Sequence, residues 1–266
     1  MKDTGERLQK WLATRGFGSR REIENWIRAG RLLVNGKVAT LGQRVSGEER
    51  FVLDNKPLHT RTRQQAPATQ ILMYHKPLGE IVSQRDPQGR RTVFQSLPKL
   101  RQGRWIAIGR LDINTTGLIL FTNNGELAHR MMHPSYEVQR EYWVRVAGTV
   151  TEETLAALRG GVPLDSGEIA KFEDIIPLKN LDDDDDGHYN RYFSVILQEG
   201  KNREVRRLWE AVGCQVSRLK RVGYGGIYMP KYLAPGKFIA LEAHDIKALM
   251  ASLQRKKTKD KPKNEQ

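Results

Sequence analysis

The sequence predicts an α+β protein in two folded parts: a small module of two helices and a small sheet, then a larger domain built on a mixed, mainly antiparallel sheet. Three observations carry this. Near the start, a capping-box pattern (Ser19, Glu22) opens an amphipathic helix and is followed by Leu32 to Val38 around Asn35-Gly36, a strong hairpin signal. From Ile71 onward, short apolar runs separated by turns alternate with a few helical stretches, without the regular βαβ succession of a doubly wound sheet. Between the two, HTRTRQQAPATQ is polar, contains Pro67 and lacks apolar periodicity, as a linker does. The boundaries read as 1–60 for the first module, 61–70 for the linker and 71–250 for the second domain. Residues 251–266 read as a basic tail with no core, expected to be disordered.

The elements follow in order. Leu8, Trp11 and Leu12 form a helical stripe. Ile23, Trp26 and Ile27 give the second helix its buried face, and Gly30 suits its C-terminal cap. In the second domain, ILMY (71–74) is a strand and KPLGE a turn. The stretch 80–93 is a hairpin or long loop tipped by Asp86-Pro87-Gln88-Gly89. Two strands, 105–109 and 117–122, flank Arg110, Asp112 and a polar turn. GELAHRMMHP is a helix stopped by Pro134. REYWVRVAG alternates Tyr142, Val144 and Val146 against Trp143 and Arg145, a half-buried strand. A helix capped by Thr151, the strand NRYFSVILQEG, the helix REVRRLWEAVG, the strand VSRLKRVGYGG and a last helix HDIKALMASL complete the chain.

The chain has 266 residues and a formal net charge of +14, so a polyanionic partner is indicated, nucleic acid ahead of an anionic membrane. Charge concentrates at the ends. Residues 1–64 hold 14 Lys+Arg against 7 Asp+Glu, and residues 251–266 hold 6 against 2. No apolar run is long enough to span a bilayer, and the first residues lack the apolar stretch of a signal peptide. Cys214, the one cysteine, excludes an intramolecular disulfide, fits a reducing cytoplasm and reads as a small apolar filler.

Candidate chemistry is sparse. There is no phosphate-binding G-x-x-x-x-G-K-[ST] loop, no dinucleotide fingerprint and no G-x-S-x-G. His129 and His133 have zinc-compatible spacing but no acid follows His129 and no cysteine cluster helps, so no metal is expected. Asp182 to Asp186 read as a solvated loop. In the front module Arg20 and Arg21 lie in the first turn of a helix, with Arg28 and Arg31 further along. Charge alone leaves two readings of them, a phosphate seat and an ordinary solvated basic face. Asp112 likewise has two readings, a turn-forming acid or a chemical group, and spacing alone does not join it to Tyr142 or to KNREVRRL (201–208).

Two resemblances go further. The front segment, with S-R-R-E-I-E at its second helix and G-R-L-L-V-N-G-K-V after it, resembles the small RNA-binding domain named after ribosomal small-subunit protein S-four. G-R-L-D-I-N-T-T-G-L-I-L-F-T-N-N-G-E is similar to the signature loop of RNA pseudouridine synthases, with H-K-P-L-G-E-I-V before it and R-E-Y-W-V-R-V and G-K-N-R-E-V-R-R-L-W after it in the expected order. Together they resemble the RsuA/RluB family of ribosomal-RNA enzymes, with the large-subunit members the nearest in style. The resemblance implies isomerisation of uridine to pseudouridine in 23S rRNA, by base flipping and without cofactor or metal. It implies Asp112 as the essential carboxylate, Tyr142 as the ring stacked on the target uracil, and Arg206 as the guanidinium that charge-balances and aims the acid. Arg110 and Lys76 would contact phosphate, and Arg20, Arg21, Arg28 and Arg31 would grip RNA. The implied partner is 23S rRNA or an assembling large ribosomal subunit, met by a cytoplasmic monomer with no membrane attachment. The rivals are a noncatalytic RNA-binding assembly factor and the same chemistry on small-subunit rRNA or tRNA.

Overall fold

A computed structural model describes residues 5–60, 67–178 and 190–259, with side chains to 254. The Asp182–Asp186 run, most of the expected linker and residues 260–266 lie outside the described residues. Two compact units form: Met1–Gln70 with Pro98–Ile106 and Asn123–Gly125, and Ile71–Leu97 with Ala107–Thr122 and Glu126–Gln266.

In the first unit, β1 (Glu6–Arg7) leads into α1 (Leu8–Thr14) and α2 (Arg20–Arg28). The α2 start is a full capping box. Glu22 N donates to Ser19 Oγ (3.0 Å) and Ser19 N to Glu22 Oε2 (3.2 Å), a device worth about 1 kcal/mol. Then come β2 (Leu32–Val34), β3 (Lys37–Val38), β4 (Arg44–Val45), β5 (Phe51–Leu53) and β6 (Lys56–Pro57). The β2–β3 hairpin turns through Asn35 (φ 50) and Gly36 (φ 78), the left-handed pair a two-residue loop needs. The core is mainly apolar: Leu8, Leu12, Ile23 and Leu32 are fully buried, and Trp11 stacks on Phe51 at 4.9 Å.

The second unit is one large sheet with strand order β13-β14-β10-β15-β9-β7-β17. Its strands are β7 (Ile71–Lys76), β8 (Ile106–Ile108), β9 (Thr116–Thr122), β10 (Arg140–Ala147), β13 (Asp174–Leu178), β14 (Asn190–Leu197), β15 (Gln215–Tyr224), β16 (Ile227–Tyr228) and β17 (Phe238–Ala240). A separate ribbon pairs β11 (Val162–Pro163) with β12 (Ile169–Ala170). Neighbouring pairs along the main path are antiparallel except one. β15 meets β9 in parallel, with Lys220 opposite Thr116 and Arg221 opposite Gly117. This short seam joins two antiparallel halves, and the Asp112 turn ends at it.

Helices cover the sheet: α3 (Gly125–Met132), α4 (Glu152–Gly160), α5 (Glu204–Ala211) and α6 (Ala243–Lys259). The apolar face of α5, Val205, Leu208 and Trp209, is buried, with Trp209 5.1 Å from the Phe193 ring of β14. That packing fixes the Lys201–Arg203 loop ahead of α5. The expectation of a coreless tail from 251 is corrected. α6 runs to Lys259, and Leu249 and Leu253, one helical turn apart, are both buried.

Candidate active site

The site begins with the turn between β8 and β9. Asp112 O accepts from Thr115 N (3.0 Å), and Ile113 O accepts from Gly79 N (3.1 Å). Lys76 Nζ donates to Thr115 O (2.9 Å), Pro77 O (3.0 Å) and Ile113 O (3.4 Å). Arg206 Nη2 donates to Asn114 O (3.0 Å) and its Nη1 to Val216 O (2.8 Å). Each carbonyl from Asp112 to Thr115 is therefore held, so the backbone under Asp112 is fixed from several directions. The Asp112 carboxylate takes no hydrogen bond or ion pair among the described residues. After the turn, Gly117 (φ +101) lets β9 press against β15: a Cβ there would lie 2.2 Å from Arg221 O.

Asp112 opens into a cavity of about 740 Å³, lined also by Arg110, Tyr142, Arg140, Arg221, Leu219 and the 199–205 segment at the start of α5. Tyr142 lies on the buried phase of β10 yet reaches the cavity, at 8% exposure. Asp112, Tyr142 and Arg110 are thus brought together. Arg206 is not among the lining residues.

Two expected roles change. Lys76 is fully buried and cannot meet phosphate; it clamps the Asp112 turn from below. Burial lowers its pKa to about 8, opposed by the nearby charges of Glu80 and Asp112. Arg206 does not pair with the Asp112 carboxylate. Its guanidinium is engaged by two carbonyls, one of them in the turn, and it reaches Asp112 only through space. The reason is common to both: a turn with four successive carbonyls beside a cation offers closer acceptors than the carboxylate does.

Two buried charged cavity residues, Arg140 and Arg221, escaped the sequence reading, and a third, Glu204, lies in the 201–208 segment that reading named without singling it out. Arg140 and Arg221 are buried, and so is Glu204, which accepts from Lys201 N (3.0 Å) and whose carboxyl burial pushes up in pKa. A signal existed: Arg140 shares the inward phase of Tyr142 and Val144, and Arg221 that of Leu219. A charge in an apolar phase marks a site.

In the first unit, Arg20, Arg21, Arg28 and Arg31 are all exposed. Arg31 is a different case from the other three. Its fork binds both Asp54 oxygens (2.7 and 2.5 Å), so it closes the β5–β6 turn instead of standing open to phosphate. Arg28 contacts Asn25 and Glu24 along its own helix. His133 Nδ1 accepts from Ser135 N, capping a short turn, and no cluster of three metal-binding side chains occurs among the described residues.

Residues 70–211 match the RNA pseudouridylate synthase family model, and residues 6–51 the S4 domain. The chain belongs to the RNA pseudouridylate synthase family. It is 49% identical over 247 residues to the ribosomal large subunit pseudouridine synthase B of Pseudomonas aeruginosa, covering 92% of this chain and 62% of that one. It is 50% identical over 244 residues to the Vibrio vulnificus protein of the same name, covering 92% of this chain and 74% of that one. A crystal structure of a pseudouridylate synthase superposes with a TM-score of 0.61 at 27% identity, over 91% of this chain and 99% of that one.

Proposed function

We propose that this chain isomerises uridine to pseudouridine at a defined position of large-subunit (23S) ribosomal RNA, with Asp112 as the catalytic carboxylate. The observation that carries this reading is the convergence of Asp112, on its fully tied turn, with Tyr142 in one cavity of about 740 Å³. The relatives' names supply the choice of RNA.

The geometry supports the following chemistry. The target base must leave its stack to enter the cavity. Tyr142 offers its ring face to the uracil. The C1′–N1 bond breaks with its electron pair going to the base. The base turns over, C5 bonds to C1′, the C5 hydrogen departs as a proton and N1 takes one up, so the product is an isomer of the substrate. Asp112 serves this sequence by attack on the sugar or the ring, or by taking a sugar proton. All these routes need the carboxylate held still, which the clamped turn provides. Arg110, exposed at the cavity rim, suits a phosphate of the entering strand. The exposed Arg20, Arg21 and Arg28 hold RNA by phosphate contacts that set register. The chain works as a monomer in the cytoplasm, on free rRNA or an assembling large subunit. No helix among the described residues is long and apolar enough to cross a membrane.

The test is tritium release from C5-labelled uridine in unmodified large-subunit rRNA. Wild type should release tritium and Asp112→Asn should release none while binding the RNA equally. Equal release by both proteins would overturn the assignment of Asp112. Release only from small-subunit rRNA or tRNA would overturn the choice of substrate.

A further inference from the structure

Arg221 is the most deeply buried cation facing the cavity, at 1% exposure. Its Nε donates to Leu118 O (2.7 Å), and its guanidinium lies 4.8 Å from the Tyr224 ring centroid. Tyr224 is itself fixed, donating to Met131 O (3.0 Å) and accepting from Arg140 Nη2 (3.1 Å). Arg140 is fully engaged, its Nη1 bonded to Gln198 O and Val138 O. Arg221 differs. Its Nη2 is buried, and among the described residues it has no hydrogen-bond partner and no carboxylate paired with it. A buried, unpartnered N–H on a cation is expensive to keep. Such a donor, locked in place by its other contacts, is built for a ligand acceptor.

Its place says which acceptor. Arg221 is the register partner of Tyr142 across β10 and β15, so the two side chains project from one face of the sheet as neighbours. A uracil lying on Tyr142 presents its edge to Arg221. The phosphates of an RNA strand stay toward solvent, out of reach of a group this buried.

We infer that Arg221 Nη2 donates a hydrogen bond to a carbonyl oxygen of the flipped uracil and stabilises the negative charge that develops on the ring. This rests on the function proposed above. When C1′–N1 breaks, the departing uracil holds the electron pair, spread over N1 and the carbonyl oxygens. If the carboxylate first adds to the ring, the charge again appears on a carbonyl oxygen. The same donor serves each route, and the charge is consumed when C5 bonds C1′; the C5 proton then leaves as N1 gains one. A fixed donor in a dry site acts at full strength.

The experiment compares single-turnover rates of wild type, Arg221→Gln and Arg221→Lys on RNA with uridine or 5-fluorouridine at the target. Conversion is read as loss of that nucleoside from digested RNA, alongside the Kd for RNA and Tm. With uridine, Arg221→Gln should be slowed about 10²- to 10³-fold with Kd within about twofold. With 5-fluorouridine the deficit should shrink at least about tenfold, because fluorine stabilises the same anion without the donor. Arg221→Lys, which keeps the charge, should be intermediate, and it carries the comparison if Arg221→Gln fails to fold. An equal deficit on both substrates would mean a structural role and overturn the inference, as would a deficit below about threefold. If wild type itself converts no uridine in any RNA, the proposed function falls first and this inference with it.

Discussion

The two units differ in whether they bury positive charge. The first unit buries an apolar core and displays Arg20, Arg21 and Arg28 to solvent. The second also displays cations, Arg110 and Arg203 among them, but it turns three inward: Lys76, Arg140 and Arg221 are buried, each bonded to backbone carbonyls. Exposed guanidiniums act on RNA by releasing counterions, a term that is large in sum, tolerant of position and weakened by salt. Buried ones act over a few ångströms on one turn or one ring, where salt does not screen them. By this reasoning burial, more than residue type, separates a cation suited to affinity from one that sets geometry.

The sharpest way to break this contrast is at the seam. Gly117→Ala forces a Cβ to 2.2 Å from Arg221 O, at a positive φ as well. The expected loss is about 3 kcal/mol or more of stability, read from the denaturant midpoint, with isomerisation abolished. Next is Lys76→Met, which removes the donor from three carbonyls while nearly keeping volume. The expected result is a roughly 100-fold slower single turnover with RNA affinity unchanged. A phosphate contact, by contrast, would lower affinity and leave the rate of bound RNA intact.

A pH series sharpens the same point. The folded pKa of Lys76, about 8, lies below its ordinary 10.5, so between those values the unfolded chain binds the proton more tightly. This group's contribution to stability therefore rises with pH across that window. Activity should move the other way, falling above pH 8 as the clamp loses a proton and its charge. Parallel curves of denaturant stability and single-turnover rate from pH 7 to about 9.5 test this. Lys76→Met should flatten both trends.

The smallest effect belongs to the outward charge. Arg20→Ala with Arg21→Ala should weaken RNA binding severalfold and reduce the slope of log Kd against log salt by about 1.4 to 2, with the rate of bound RNA unchanged. A fall in that rate would mean these arginines reach the chemistry.

Much of the fold was legible because it is local. The Ser19–Glu22 capping box, the Asn35-Gly36 turn and the strict alternation of β10 are set by residues within four positions of one another. The same locality made α6 readable only up to its apolar stripe, so its continuation to Lys259 was missed. The site was half legible. The family motif singles out Asp112 and Tyr142, and the structure puts both in one cavity. Lys76 and Arg206 were misread because a cation's role depends on which carbonyls come near it, and those carbonyls lie up to 92 positions away in the chain.

The sequence alone therefore determined the class of fold, the charge that favours RNA, and Asp112 and Tyr142 as candidates for the chemistry. All of these depend on residue type and short spacing. Only the tertiary structure decided which cations face water and which are buried, that Arg221 stands beside Tyr142, and that every carbonyl beneath Asp112 is held. Those facts come from strand register and from the parallel seam of β9 and β15, which join segments about a hundred residues apart.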